Sequence, residues 1–285
     1  MGSSSIRVAV TQHEPVWLDL EGAVQKTCDL IREAASGGAQ LIAFPELWIP
    51  GYPAWIWSRP FDFDLGIRYV QNSLAISSAH MDTIRAAAAA NKIQVSLGFS
   101  ENDAYSVYIA QALIGADGDI KMRRRKMKPT HMERTMFGDA SGECLTNVVD
   151  TPIGKVGSLA CWEHIQPLLK YHTLAQKEQI HVAAWPVLDP FIEGSPGFWS
   201  MSTEVFGPDG RQLTASDAPN EQLIFADIDL ASIIKTKTFA DASGHYSRPD
   251  LLWLGCDLAL KKMVRSSGAA KALQDEPADE KDNEA

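Results

Sequence analysis

The chain has 285 residues, 45% of them hydrophobic, and a net charge of −10 from 26 Lys and Arg against 36 Asp and Glu. A chain of this size can bury a large core, and the excess of acid excludes a nucleic-acid partner, which needs clustered positive charge. No apolar run approaches membrane-spanning length and no signal-peptide core follows Met1-Gly2-Ser3-Ser4-Ser5, so a cytoplasmic protein with no membrane partner is expected.

Apolar residues are spread evenly to about Val264, which predicts one folded domain over 1–265. The remaining residues, 266–285, hold six acidic and two basic side chains and almost no large apolar ones, the composition of a disordered acidic tail. The four cysteines (Cys28, Cys144, Cys161, Cys256) are scattered, with no partners at metal-ligand spacing, which argues against a disulfide scaffold or a zinc site. The single basic run, Arg123 to Lys128, is too local to make a basic face.

Taken in order, residues 6–12 read as a central strand buried on both sides, followed by an amphipathic helix over 20–35 that stops at Ser36-Gly37-Gly38. Residues 41–44 form a second buried strand ending at Pro45-Glu46, where a carboxylate faces a desolvation cost unless it has a partner or a task. The loop over 47–57 is dense in aromatics and proline, and reads either as a pocket wall or as a long loop packed on the core. A helix is expected over 72–91, then strands over 94–100, 107–114 and 120–126, the last two joined at Ala116-Asp117-Gly118. Lys126 therefore falls at a strand end. After a loop over 127–143 come strands at 147–149 and 155–160, a sharp stop at Cys161, a helix over 166–176 and a strand over 181–185. A hairpin on Gly207-Pro208-Asp209-Gly210, with arms 202–206 and 211–215, echoes the one at 116–118 and suggests two related halves. Strand 223–228 and a helix over 230–236 follow. The recurring order predicts α/β layers, with strands sandwiched between helices.

The stretch Gly157-Ser158-Leu159-Ala160-Cys161-Trp162-Glu163-His164 puts a thiol where a buried strand turns into a helix. Such a cysteine is either a small core residue or a nucleophile whose pKa the helix N-terminus lowers. Three more candidates, Glu46, Lys126 and Glu133, lie at strand ends or in adjoining loops. The four make chemical sense together, because a nucleophile needs a base for its proton, a cation for the developing negative charge, and a group to orient that cation.

Phe44-Pro45-Glu46, Arg125-Lys126-Met127-Lys128-Pro129-Thr130-His131-Met132-Glu133-Arg134 and Cys161-Trp162-Glu163-His164 resemble the three signature regions of the nitrilase superfamily. The resemblance covers 6–185 and 202–250, and is greatest to the nitrilase and cyanide-hydratase branch with its fungal arylacetonitrilase-like members. It implies a four-layer α-β-β-α sandwich, with Cys161 as nucleophile, Glu46 as general base, Lys126 as the third catalytic group, and Glu133 orienting Lys126 and touching substrate. Lys128, two residues on, is the lysine most easily mistaken for Lys126. Tyr52, Trp162, His164 and Trp185 are the implied substrate contacts, while His131 and His164 otherwise read as hydrogen-bonded within the fold. The implied substrate is a small organic nitrile, aryl-substituted or arylacetic in view of the aromatic loop, with no metal or organic cofactor, and the chain is expected to form a homo-oligomer. The product is acid and ammonia, or an amide if the tetrahedral intermediate expels sulfur. An amide or carbamoyl hydrolase would use the same four residues.

The chain departs from that family after residue 185. The family has a helix and a further core strand before the Gly-Pro-Asp-Gly hairpin, whereas only the Pro- and Gly-rich residues 186–201 stand here. The resemblance therefore also implies a shortened second half, and with it the alternative of a catalytically impaired relative acting as a structural subunit.

Overall fold

The structure, a computed structural model, describes residues 5–186, 204–214, 220–262 and 264. The expected acidic tail and the proline-rich region after Pro186 lie outside these residues, as do Ser202, Thr203 and Ala215 at the ends of the second hairpin.

The first sheet has six strands in the order β5-β4-β3-β2-β1-β9. Strand β1 (Ser5–Gln12) runs parallel to β2 (Leu41–Ala43), and β2 parallel to β3 (Gln94–Asp103). Strands β3, β4 (Ser106–Ile114) and β5 (Ile120–Arg125) then form an antiparallel meander, and β9 (Gln222–Asp229) closes the other edge antiparallel to β1. The second sheet has three strands among the described residues: β6 (Val148–Thr151), β7 (Gly154–Ala160) and β8 (Ile180–Ala184), with β7 and β8 parallel.

Helices α1 (Leu20–Ser36) and α3 (Ala79–Asn91) pack on the outer face of the first sheet, where Val24, Ile31 and Ile84 join Ile42, Val95 and Ala112 in the main core. A second apolar cluster, with Val8, Leu41 and Leu113 on one side and Val156, Ile180 and Val182 on the other, glues the sheets face to face. On the far side, α4 (Pro167–Ala175) is tied down by the bond from Asn147 Nδ2 to Thr173 Oγ1, 2.9 Å. The layers are thus helix, sheet, sheet, helix, as expected.

The expected helix over 72–91 is helical only over 79–91. A helix that sequence reading missed, α2 (Phe63–Gln71), ends at Asn72, and α3 begins only after Ser78, whose hydroxyl accepts the Met81 N–H. The side chains of Asn72 and Ser78 offer the backbone polar partners that a continuous helix would not. Helix α5 (Ala231–Phe239) follows β9 and buries no residue. The second hairpin is a short turn joined by the bonds from Gly207 N to Arg211 O and Leu213 N to Val205 O. No described helix is long and apolar enough to cross a membrane.

Candidate active site

Three strand ends converge. Glu46 follows β2, Lys126 follows β5 and Cys161 follows β7, and all three are buried. Glycine at 98 makes the first placement possible, because a Cβ on β3 there would lie 2.1 Å from the Pro45 carbonyl oxygen. The Glu46 N–H then donates to Trp185 O at 3.1 Å, joining the exit of the first sheet to that of the second.

Lys126 continues the β5 ladder through its N–H to Ile109 O, 2.7 Å, and its side chain runs inward, 1% exposed. Its Nζ donates to Glu46 Oε1 at 3.2 Å and to Glu133 Oε2 at 2.9 Å. These bonds engage two of its three N–H donors. Lys128 instead reaches the surface, 62% exposed, and pairs with Asp139 at 2.7 Å. The basic run is split by strand alternation. Arg123 and Arg125 pair with Glu101 on one face, while Arg124 and Lys126 turn into the interior.

Glu133 sits in a tight turn over His131–Thr135, set by a reciprocal cap with Thr130. Its carboxylate accepts from Thr130 N at 2.6 Å, from Lys126, and from the Tyr52 hydroxyl at 3.1 Å. Tyr52 is in turn held by Trp57 Nε1 at 2.9 Å. The aromatic loop is therefore both core packing and site wall.

The electrostatics follow from burial. Desolvation pushes the Glu46 carboxyl up to about 8 against the pull of Lys126, with Glu133 adding to the rise. Burial alone would lower Lys126, but the charges of Glu46 and Glu133 hold its ammonium above the ordinary range. Glu46 Oε2 also lies 3.2 Å from Lys126 Nζ, so both oxygens of this carboxyl face the ammonium. The expectation of a thiolate stabilised by a helix N-terminus is corrected. Cys161 opens a five-residue 3-10 turn, α4 starts only at Pro167, and burial followed by the Glu46 charge drives the thiol well above its usual range. That shift favours the neutral thiol.

Sequence reasoning assigned no role to Glu163 or Arg124. Arg124 is fully buried and grips Glu163 with two bonds of 2.6 and 2.7 Å, and Glu163 also accepts from Met127 N and Ala160 N, both at 2.8 Å. One carboxylate thus fastens the exit of β5 to the elbow of β7. The signal was present as a glutamate two places after the cysteine and an arginine two before the lysine, but their pairing needs the fold.

The remaining candidates surround this cluster. Trp162 meets His131 edge-on with ring centres 5.1 Å apart, and His131 meets Trp57 at 6.2 Å. The His164 ring stacks on Trp185 at 5.5 Å. A space of about 1130 Å³ between β1, β2 and β8 lies elsewhere; its described lining reaches Phe44, Pro45 and Trp185 but not Glu46, Lys126, Glu133 or Cys161.

A family model described as carbon-nitrogen hydrolase matches residues 7–201. An arylacetonitrilase of Aspergillus kawachii (strain NBRC 4308) is 52% identical, covering 96% of this chain and 98% of its own. That alignment runs over 324 positions against the 285 residues here, so the relative carries residues with no counterpart in this chain. Among solved structures, an amidase of Nesterenkonia AN1 from the nitrilase superfamily superposes with a TM-score of 0.63 at 18% identity, over 83% of this chain and 95% of its own. The C. elegans NitFhit protein gives 0.69 at 18% identity, over 92% and 70%.

Proposed function

Because the chain belongs to the carbon-nitrogen hydrolase family, we propose that it is a nitrilase that converts an arylacetonitrile to the carboxylic acid and ammonia. The observation that carries the reading is the buried Lys126 bridging Glu46 and Glu133 beside the Cys161 thiol, in a chain half identical to an arylacetonitrilase.

In this reading Glu46 takes the Cys161 proton as sulfur adds to the nitrile carbon, and the nitrogen collects that proton to give a thioimidate. The Lys126 ammonium faces the nitrogen as its negative charge develops. Glu46 next deprotonates a water, which adds to the thioimidate carbon; the C–N bond breaks and ammonia leaves a thioester. A second water, activated the same way, breaks the C–S bond, frees the acid and returns the thiol. Breaking C–S at the first tetrahedral stage would instead release the amide. Trp57, His131 and Trp162 form a run of aromatic edges suited to the substrate ring. A cytoplasmic setting and self-association belong to the same proposal.

Purified protein should release ammonia from phenylacetonitrile faster than from benzonitrile or cyanide, and the Cys161→Ala variant should release none. Chromatography of the product separates acid from amide. The longer alignment of the relative, with residues that have no counterpart here, favours one competing reading, an impaired subunit. That reading wins if wild type and Cys161→Ala release equal ammonia from every nitrile and amide offered.

A further inference from the structure

His164 stands at a junction. One ring nitrogen, Nδ1, is 2.6 Å from the Cys161 carbonyl oxygen, and its ring lies against Trp185 with 20° between the planes. The Trp185 carbonyl is the one that accepts the Glu46 N–H. The other ring nitrogen, Nε2, is 2.9 Å from His181 Nε2, and His181 Nδ1 is 2.7 Å from Glu178 Oε2. A continuous chain thus runs from a carboxylate near the surface to the backbone of Cys161. A gap in the sheet admits it: Gly157 is the register partner of His181 on β7, and any Cβ there would collide with Glu178 Oε2.

We propose that Glu178, His181 and His164 form a positioning relay that fixes the Cys161 carbonyl and so aims its thiol. This inference rests on the reading of Cys161 as nucleophile. The direction of every hydrogen follows from the partners. A carbonyl can only accept, so His164 donates from Nδ1 and its Nε2 offers a lone pair. His181 must then donate from Nε2, and the remaining proton is shared between His181 Nδ1 and the Glu178 carboxyl. Burial, then the nearby His181, lowers His164 to about 4, consistent with a neutral ring. The other charges facing this ring are Glu163 in its own turn and Lys170 on α4. The carbonyl needs such a clamp, because Cys161 has φ +46, a left-handed conformation that a residue with a Cβ adopts at a cost. Without a fixed partner for that carbonyl, the peptide can relax toward ordinary angles and swing the thiol off line.

Three substitutions and one spectrum test the relay. His164→Phe keeps a ring on Trp185 but has no N–H, and should lower kcat by about tenfold to a hundredfold while KM stays within about threefold, the pattern of a misaimed group rather than a lost binding contact. His164→Asn places an amide N–H where Nδ1 stood, and should restore most of the lost rate. Glu178→Gln lies at the outer end, where folding is least at risk, and should give a smaller fall in kcat, again with KM held. In 15N spectra of the imidazoles, His164 should carry its proton on Nδ1 and His181 should be protonated on Nε2. An unchanged kcat in His164→Phe, no recovery in His164→Asn, or a His164 proton on Nε2 would each overturn the relay. Alkylation of Cys161 by iodoacetamide needs only an aimed thiol and no nitrile. If the wild type proves inactive on nitriles, slower alkylation in His164→Phe still supports the relay, and an equal rate overturns it.

Discussion

At the scale of single residues, the site depends on burial holding a proton on a carboxyl. With Glu46 neutral, Lys126 and Glu133 cancel and the pocket carries no net charge; ionising Glu46 leaves one uncompensated negative charge in a dry site. A base must be ionised to take the thiol proton, so kcat/KM should climb with pH along an acid limb centred at about 8, a value belonging to the coupled cluster rather than to one group. A stopped pH series of initial rates reads this, and a limb centred near the ordinary 4.5 would refute it. Stability should run the opposite way. Between 4.5 and 8 the unfolded chain gives up the Glu46 proton while the folded chain keeps it, so folding becomes less favourable as pH rises through that window. Glu46→Gln should therefore melt above the wild type, by a margin that widens from about pH 5 to about pH 8 in thermal melts. The motifs made Glu46, Lys126, Glu133 and Cys161 legible before any coordinates, but Lys126 and Lys128 share one strand parity, and only the end of β5 at Arg125 lets the chain turn Lys128 out to the surface. What could not be read was the backbone that carries them. Leu47 just after the first motif, His131 in the second and Cys161 in the third all have positive φ, and no residue type there announces it.

At the scale of elements, the helices and the joints between them decide stability. Lys92 ends α3 in the left-handed conformation, φ 51 and ψ 39, with its N–H on Ala88 O and Ala89 O, and its side chain is exposed. Glycine has no Cβ to strain in that position. Lys92→Gly should therefore add about 1 kcal/mol to the unfolding free energy in a denaturant titration, with activity unchanged. The joint made by Glu163 goes the other way. Burial would raise this carboxyl, but the Arg124 charge and its two bonds hold it below the ordinary range. Arg124→Met leaves that carboxylate buried without its cation, and should cost about 3–5 kcal/mol in the same titration. That stability is present above the ordinary carboxyl range and is lost as acid protonates Glu163, so the deficit of the variant should shrink as pH falls through that range. Strands were readable because their apolar runs are short and bounded by turn residues. The late start of α3 was not, because Leu74 and Ile76 continue a helical spacing while lying in the connection between α2 and α3.

At the scale of the whole molecule, the two halves are unequal. Among the described residues the first sheet has six strands sealed by α1 and α3, and the second has three. Helix α4 buries only Thr173, whereas α1 buries seven residues, so the second layer should open more often than the first. Hydrogen exchange followed by mass spectrometry should find β3 and β4 the most protected peptides and β8 the fastest of the paired strands. Equal protection of β4 and β8 would refute this. The sequence already hinted at the asymmetry, through the brief proline-rich connection after Trp185, while its consequence for the interior needed the layers in place. Glu163 gives this imbalance a particular outcome. Its carboxylate rivets the thiol-bearing bend to the sturdier slab, so that when the thinner slab breathes, sulfur and ammonium travel as passengers on one carriage and keep their spacing.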